Sequence, residues 1–159
     1  RIAGRRSAVI ARSTLMDISG SYTFDAPPDR VWALLMDTAV LSSCIPGCDR
    51  FEPAGDDRYT VTLTVGLAAI TGTYTGTVQL ADMVPQTSYK LIVEGQGRPG
   101  SVKGTSVITL RAEGGTTSVD VTADVHTAGA IARVGQRLIG SVAKMMMDRF
   151  FGCLQSKLS

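Results

Sequence analysis

Apolar and polar residues alternate along most of this chain, and the spacing widens to a helical period in only two stretches. Residues 18–24 (ISGSYTF) put Ile18, Tyr22 and Phe24 on one face and predict a strand, stopped by Asp25-Ala26-Pro27-Pro28. Pro28 suits the first position of a helix, where its missing N–H has no partner to lose. Residues 29–36 then repeat Val31, Leu34 and Leu35 at helical spacing, with Trp32 alongside. Asp37-Thr38 caps a second short helix over 41–44, which Pro46-Gly47 ends.

From Tyr59 onward the period is two. Residues 59–65 (YTVTLTV) set Tyr59, Val61, Leu63 and Val65 against three threonines. Alternation resumes over 71–80, 89–93, 102–110 and 118–125, and 47–53 is a shorter candidate. Gly55-Asp56-Asp57, Val84-Pro85-Gln86 and Glu113-Gly114-Gly115 are turn sequences of hairpin length, so about six to seven strands are expected in an antiparallel meander. Residues 129–158 return to helical spacing, with Ile131, Val134, Leu138, Val142, Met145 and Leu154 on one side. Ile139, Met146, Phe150 and Phe151 broaden that stripe. A helix of about 25 residues would be roughly 37 Å long. One sheet and one long helix define an α+β architecture.

A twisted antiparallel sheet of this size curls, and its concave face must be covered. The terminal helix is the element long enough to lie across it, and the two short helices can close one end. Gly72, Gly76, Gly104 and Ala123 are small residues on the expected inner side and would leave volume there, while Met145, Met146 and Met147 adapt to irregular neighbours. Glycine in a strand also marks bends and bulges, and methionine at helical spacing also fills ordinary cores. The pattern by itself leaves both readings open.

Composition narrows the function classes. At 159 residues, 44% hydrophobic and 19% charged, the chain suits one globular domain. A mean hydropathy of +0.15 comes without an apolar run of the roughly 20 residues a spanning helix needs. Arg1, Arg5, Arg6 and Arg12 precede the first acid, Asp17, and the rest holds 12 basic against 14 acidic residues. That slightly acidic body predicts no nucleic-acid partner. The basic segment 1–16 reads as a leader or expression remnant ahead of Met16, and 17–159 as the single domain. Cys44, Cys48 and Cys153 are odd in number and lack redox or zinc spacing, so reduced structural thiols, no metal and a cytoplasmic setting are expected.

Catalytic residues are sparse. His126 is the chain's one histidine, with Asp124 two residues away on the same strand face, and a surface position is expected for both. Arg98 and Lys103 are candidates either for the lip of a cavity or for solubilising edge charges. No phosphate loop or nucleophile elbow occurs, and no catalytic residue is assigned.

The order of strand, two short helices, meander and long helix resembles the helix-grip superfamily of START lipid-transfer domains, the birch-pollen allergen and polyketide cyclases. Within it the chain is similar to the G-subunit family of carbon monoxide dehydrogenase. The residues that carry this likeness are Pro28–Leu35 and Asp37, Leu41 with Cys44-Ile45-Pro46-Gly47-Cys48, and Tyr74-x-Gly76 with Val78 and Asp82. Gly100-x-Val102-Lys103-Gly104, residues 129–138 (GAIARVGQRL) and Phe150-Phe151 complete it. The resemblance implies a helix-grip fold, with the sheet wrapped around the terminal helix. It also implies an accessory, non-enzymatic protein that binds a quinone or lipid beside a molybdenum hydroxylase of the carbon monoxide dehydrogenase type, at the inner face of the membrane. No cofactor is expected. Two alternatives are an adaptor that recruits or assembles such a dehydrogenase through an exposed Ile45-Pro46 loop, and a cyclase or hydratase.

If a ligand is held, face counting assigns its contacts. Trp32 and Leu35 come from the first short helix, and Val61, Leu63 and Val65 from the strand over 59–65. Tyr74 and Tyr89 come from the next two strands, and Leu138, Val142, Met145 and Met146 from the terminal helix.

Overall fold

Alternation in the sequence becomes seven strands in the computed structural model, which describes residues 14–66 and 70–158. They are β1 (Thr14–Phe24), β2 (Cys48–Pro53), β3 (Arg58–Val65), β4 (Gly72–Val84), β5 (Ser88–Gly97), β6 (Gly100–Glu113) and β7 (Thr116–Ala128). All pair antiparallel in the order β1-β7-β6-β5-β4-β3-β2, a meander from β2 to β7 with β1 returned against β7. Helices α1 (Pro28–Leu35) and α2 (Thr38–Cys44) follow β1, and α3 (Gln136–Ser156) follows β7. This is the expected α+β helix-grip arrangement.

Local chemistry accounts for the short helices. Pro28 starts α1, which buries Val31 and Leu35, four residues apart and therefore on one face. The Asp37 carboxylate accepts hydrogen bonds from the amides of Ala39 (3.0 Å) and Val40 (3.2 Å) and caps α2. A buried hydrogen bond from the Thr117 hydroxyl to the Ala26 carbonyl, 2.7 Å, ties the entrance of α1 to β7.

α3 is held along β1. The Tyr22 ring stacks on Phe151 at 4.3 Å, and its hydroxyl donates to the Asp148 carboxylate at 2.8 Å. Lys144 donates to the same oxygen at 2.7 Å. Beneath these contacts lie two cores. One gathers Phe24, Val31, Leu35, Val119 and Leu154, and the other gathers Met16, Ile70, Ile131 and Ile139 at the opposite end of the sheet.

Several features depart from the sequence expectation. The terminal helix does not begin at 129: a 3-10 turn at Ala130–Arg133 comes first, and Gly135, at φ +104°, turns the chain into α3. With 21 residues, α3 is about 31 Å long rather than 37 Å. β1 reaches back to Thr14 and buries Met16, so residues 14–16 join the sheet, while 1–13 lie outside the described residues. Gly76 opens no space, because a Cβ there would collide with the carbonyl oxygen of Glu94; the glycine permits close strand approach. Finally, Cys44 and Cys153 form a disulfide between α2 and α3 instead of reduced thiols, and Cys48 is free. Proximity of the two cysteines depends on how α3 is seated against α2, which spacing along the chain does not encode.

Candidate ligand cavity

Strict alternation along β7 divides its residues between two environments. Val119 and Val121 are buried and Ala123 and Val125 are half-buried on the inner face, whereas Thr122, Asp124 and His126 are exposed on the outer face. The same division runs across the sheet through the register, in which Leu80, Leu91, Ser106, Ala123 and Ile18 form one inner row. Because Ser106 and Ala123 are small and Gly104 lies in the adjacent row, the inner face is shallow at its centre. α3 cannot follow that hollow, and a cavity of about 350 Å³ is left between them.

Its floor is built from Val78, Val93, Ile108, Val121 and Val125 together with the row just described. Its roof is Ala143, Met146, Met147, Phe150 and Phe151 of α3. Leu35, Leu41, Ile45, Pro46 and Phe51 close the side formed by α1, α2 and the start of β2. Gly47 makes that side possible: at φ +73° it lies so close to the Thr64 carbonyl that a Cβ would collide with it, and its own oxygen accepts from the Thr64 amide at 2.8 Å. Ile45 and Pro46 are thereby pinned against the end of β3 and half-buried on the cavity, not presented as an exposed patch.

Two hydroxyl groups belong to this wall. Ser106 donates to the Thr122 carbonyl at 3.1 Å. Tyr89 is 5% exposed, with its ring held edge-on by Trp32 at 5.4 Å, and burial pushes its phenol well above the usual tyrosine range. The volume is near the lower end of the roughly 300–1,000 Å³ of small-molecule pockets, and the surface is almost entirely hydrocarbon. Such a site can hold a ring-sized apolar group or part of a longer chain. Each CH₂ taken from water contributes about 0.8 kcal/mol.

Of the residues assigned from the sequence, Leu35, Tyr89 and Met146 line the cavity. Trp32 packs behind Tyr89. Val61 is buried and Leu63 half-buried on β3, neither on the cavity wall. Val65, Tyr74 and Val142 pack against the second core, where the Tyr74 hydroxyl donates to the Ile70 carbonyl at 2.8 Å. Leu138 is exposed at 37%, and Met145 faces an outer groove between α3 and β1. Ile18, Leu91, Ala123 and Val125 line the cavity from strands that the spacing predicts, yet face counting does not single them out. The deciding factor is the placement of α3, which packs along β1 and leaves no β3 residue on the cavity wall.

The other candidates lie outside. His126 is exposed, and Asp124 is exposed opposite Asp17 in the β1–β7 register. Lys103 forms an ion pair with Glu94 at 3.8 Å on the outer face, and Arg98 is exposed in the β5–β6 turn. Among the described residues no cluster of His, Cys, Asp and Glu could hold a metal ion, and no helix is long and apolar enough to cross a membrane.

Comparison with solved structures agrees with this geometry. A conserved protein from Geobacillus kaustophilus superposes with a TM-score of 0.86 at 36% identity, covering 89% of this chain and 94% of that one. The Zhui aromatase/cyclase from Streptomyces sp. R1128 has a TM-score of 0.68 at 16% identity, over 91% and 93% of the two chains. Truncated norcoclaurine synthase from Thalictrum flavum has 0.67 at 12% identity, over 92% and 94%. The latter two share the fold. No curated protein matches the sequence. The family model of the carbon monoxide dehydrogenase G-subunit (CoxG) matches residues 20–159.

Proposed function

The chain belongs to the CoxG family, and from that premise we propose that it is a carrier of a hydrophobic small molecule, a quinone or a lipid, serving a molybdenum hydroxylase of the carbon monoxide dehydrogenase type. The observation that carries the reading is the cavity of about 350 Å³ between α3 and the sheet, lined almost wholly by carbon. A protein that only bridged two partners would gain stability by filling this space, since voids in cores are destabilising. Retaining it is consistent with a ligand. Its modest volume suits the head or one segment of a long amphiphile, the remainder of which would extend past α3.

Binding is favoured over catalysis by the character of the wall. Its hydroxyls belong to Ser106 and Tyr89, whereas no histidine or carboxylate that could move a proton is part of the wall among the described residues. The reading puts the protein's work in the cytoplasm at the inner face of the membrane, where such cargo is available.

Native mass spectrometry of the protein from its own host, with solvent extraction, tests this. A stoichiometric quinone or lipid supports the carrier. Protein that is empty and stays empty after incubation with ubiquinone-type, menaquinone-type and phospholipid probes rejects it and favours a ligand-free adaptor for the dehydrogenase.

A further inference from the structure

The cavity wall contains one hydroxyl without a partner. Tyr22 donates to Asp148 and Tyr74 to the Ile70 carbonyl, but the Tyr89 phenol is perturbed by burial alone and meets no hydrogen-bond partner among the described residues. Its oxygen is not sealed off: among the described residues the fully buried side-chain oxygens without a partner are those of Thr127 and Gln155, so the Tyr89 hydroxyl keeps an opening through which a ligand atom can reach it. Tyr89 is also fixed: it is 5% exposed, paired across the sheet with Ile108, and held edge-on by Trp32 at 5.4 Å. Ser106, the other hydroxyl in the wall, already gives its proton to the Thr122 carbonyl. Of the two, Tyr89 is therefore the one with a proton to offer.

We propose that Tyr89 is the polar anchor of the cavity, donating a hydrogen bond to an acceptor oxygen on an otherwise apolar ligand. This rests on the carrier reading and narrows it: the ligand bears a carbonyl or comparable oxygen, and that end is the one seated inside. Burial disfavours the phenolate, so Tyr89 keeps its proton and acts as a donor throughout the neutral range. A pure hydrocarbon would fill the same space but leave the hydroxyl unpaired, so the site discriminates between the two.

Fluorenone and fluorene have the same ring frame and differ at the carbonyl, which makes them suitable probes. Tyr89→Phe keeps the ring and its contact with Trp32 while removing the hydroxyl. The expected result is that Tyr89→Phe binds fluorenone about tenfold more weakly and fluorene within about twofold of wild type, the size of one neutral hydrogen bond. The infrared carbonyl band of bound fluorenone should lie lower in wild type than in the variant. Without ligand, Tyr89→Phe should melt no lower than wild type, because no existing bond is lost. Ser106→Ala should leave the preference for fluorenone in place.

Unchanged fluorenone affinity, an equal loss for both probes or an unmoved carbonyl band would overturn the anchor while leaving the carrier intact. A lower melting temperature for ligand-free Tyr89→Phe would also overturn it, by revealing a partner within the protein. A wild-type protein that took up neither probe would remove both proposals.

Discussion

Cys44 and Cys153 are joined across a sequence separation of 109 residues, with their Cα atoms 5.4 Å apart, so that α2 is fastened to the far end of α3. Their neighbours in sequence, Ile45 on one side and Phe150 and Phe151 on the other, belong to the cavity wall. The link thus braces two of the elements that enclose the cavity. Closing so long a loop in the unfolded chain is worth about 2–4 kcal/mol in typical proteins. Air-purified, denatured protein is expected to show one reactive thiol, Cys48, and three after reduction. Reduction should lower the melting temperature, and Cys153→Ser should reproduce that loss and be insensitive to reductant. In a reducing compartment the pair would stand as thiols, and the fold would rely on packing alone.

The roof of the cavity separates two adjacent helix positions. Ala143 is on the wall, while Val142 is packed against the second core. Ala143→Trp should therefore fill the cavity and weaken uptake of an apolar fluorescent probe by at least about tenfold with the fold intact. Val142→Trp should do the reverse. Overpacking a core commonly costs about 1–3 kcal/mol, so its unfolding midpoint should fall while probe affinity in the folded protein stays near wild type. Equal effects of the two variants on binding would contradict the assignment of faces on α3.

Much of the fold is legible from residue spacing. Alternation locates all the strands, including the short β2, because the buried and exposed faces of β3 and β7 use unlike residues. The Asp37 cap and Pro28 start are readable because each acts within four residues of itself. The ligand wall is less accessible. Period counting places Val61 and Ile18 equally on inner faces, yet only Ile18 lies on the cavity. That choice depends on how α3 crosses the sheet, which rests on long-range contacts such as Tyr22 with Phe151 and Asp148. Leu138 shows the same limit: it belongs to an apolar stripe, but the helix begins late and turns it toward solvent. Ile45 and Pro46 stand out in the family likeness, and only their pinning through Gly47 reveals why.

Two carboxylates on β1 and α3 should give stability opposite dependences on pH. Lys144 first, then the Tyr22 hydroxyl, holds the Asp148 carboxyl below its usual range. Its contribution is therefore present above the unfolded carboxylate value of about 3.9 and is lost as pH falls through the lower folded value. Asp148→Asn should be less stable than wild type at pH 7, with the gap closing in acid below about pH 4. Asp17 is raised, first by its hydrogen bond with Asp124 and then by repulsion from it. Its favourable contribution belongs to low pH and disappears as pH rises through the raised folded value. Asp17→Asn should thus be more stable than wild type at pH 7 and indistinguishable from it in acid. Thermal melts of the three proteins from pH 3 to pH 7 check both signs.

Substituting alanine for glycine should have opposite signs at two positions. Gly152 lies on the exposed side of α3 with nothing near the place a Cβ would occupy. Glycine in a helix costs roughly 0.5–1 kcal/mol relative to alanine, so Gly152→Ala should stabilise by about that amount. Gly47 combines φ +73° with a Cβ position that collides with the Thr64 carbonyl. A side chain there is strained in itself, at about 1–3 kcal/mol. It also has to push β3 away from the loop that presents Ile45 and Pro46 to the cavity. Gly47→Ala should therefore lower the urea midpoint without changing the slope, and should weaken binding of an apolar probe because the wall on that side is displaced. A Gly47→Ala protein with wild-type stability and binding would mean that the loop can leave β3 freely, and that Ile45 and Pro46 are not a fixed part of the cavity.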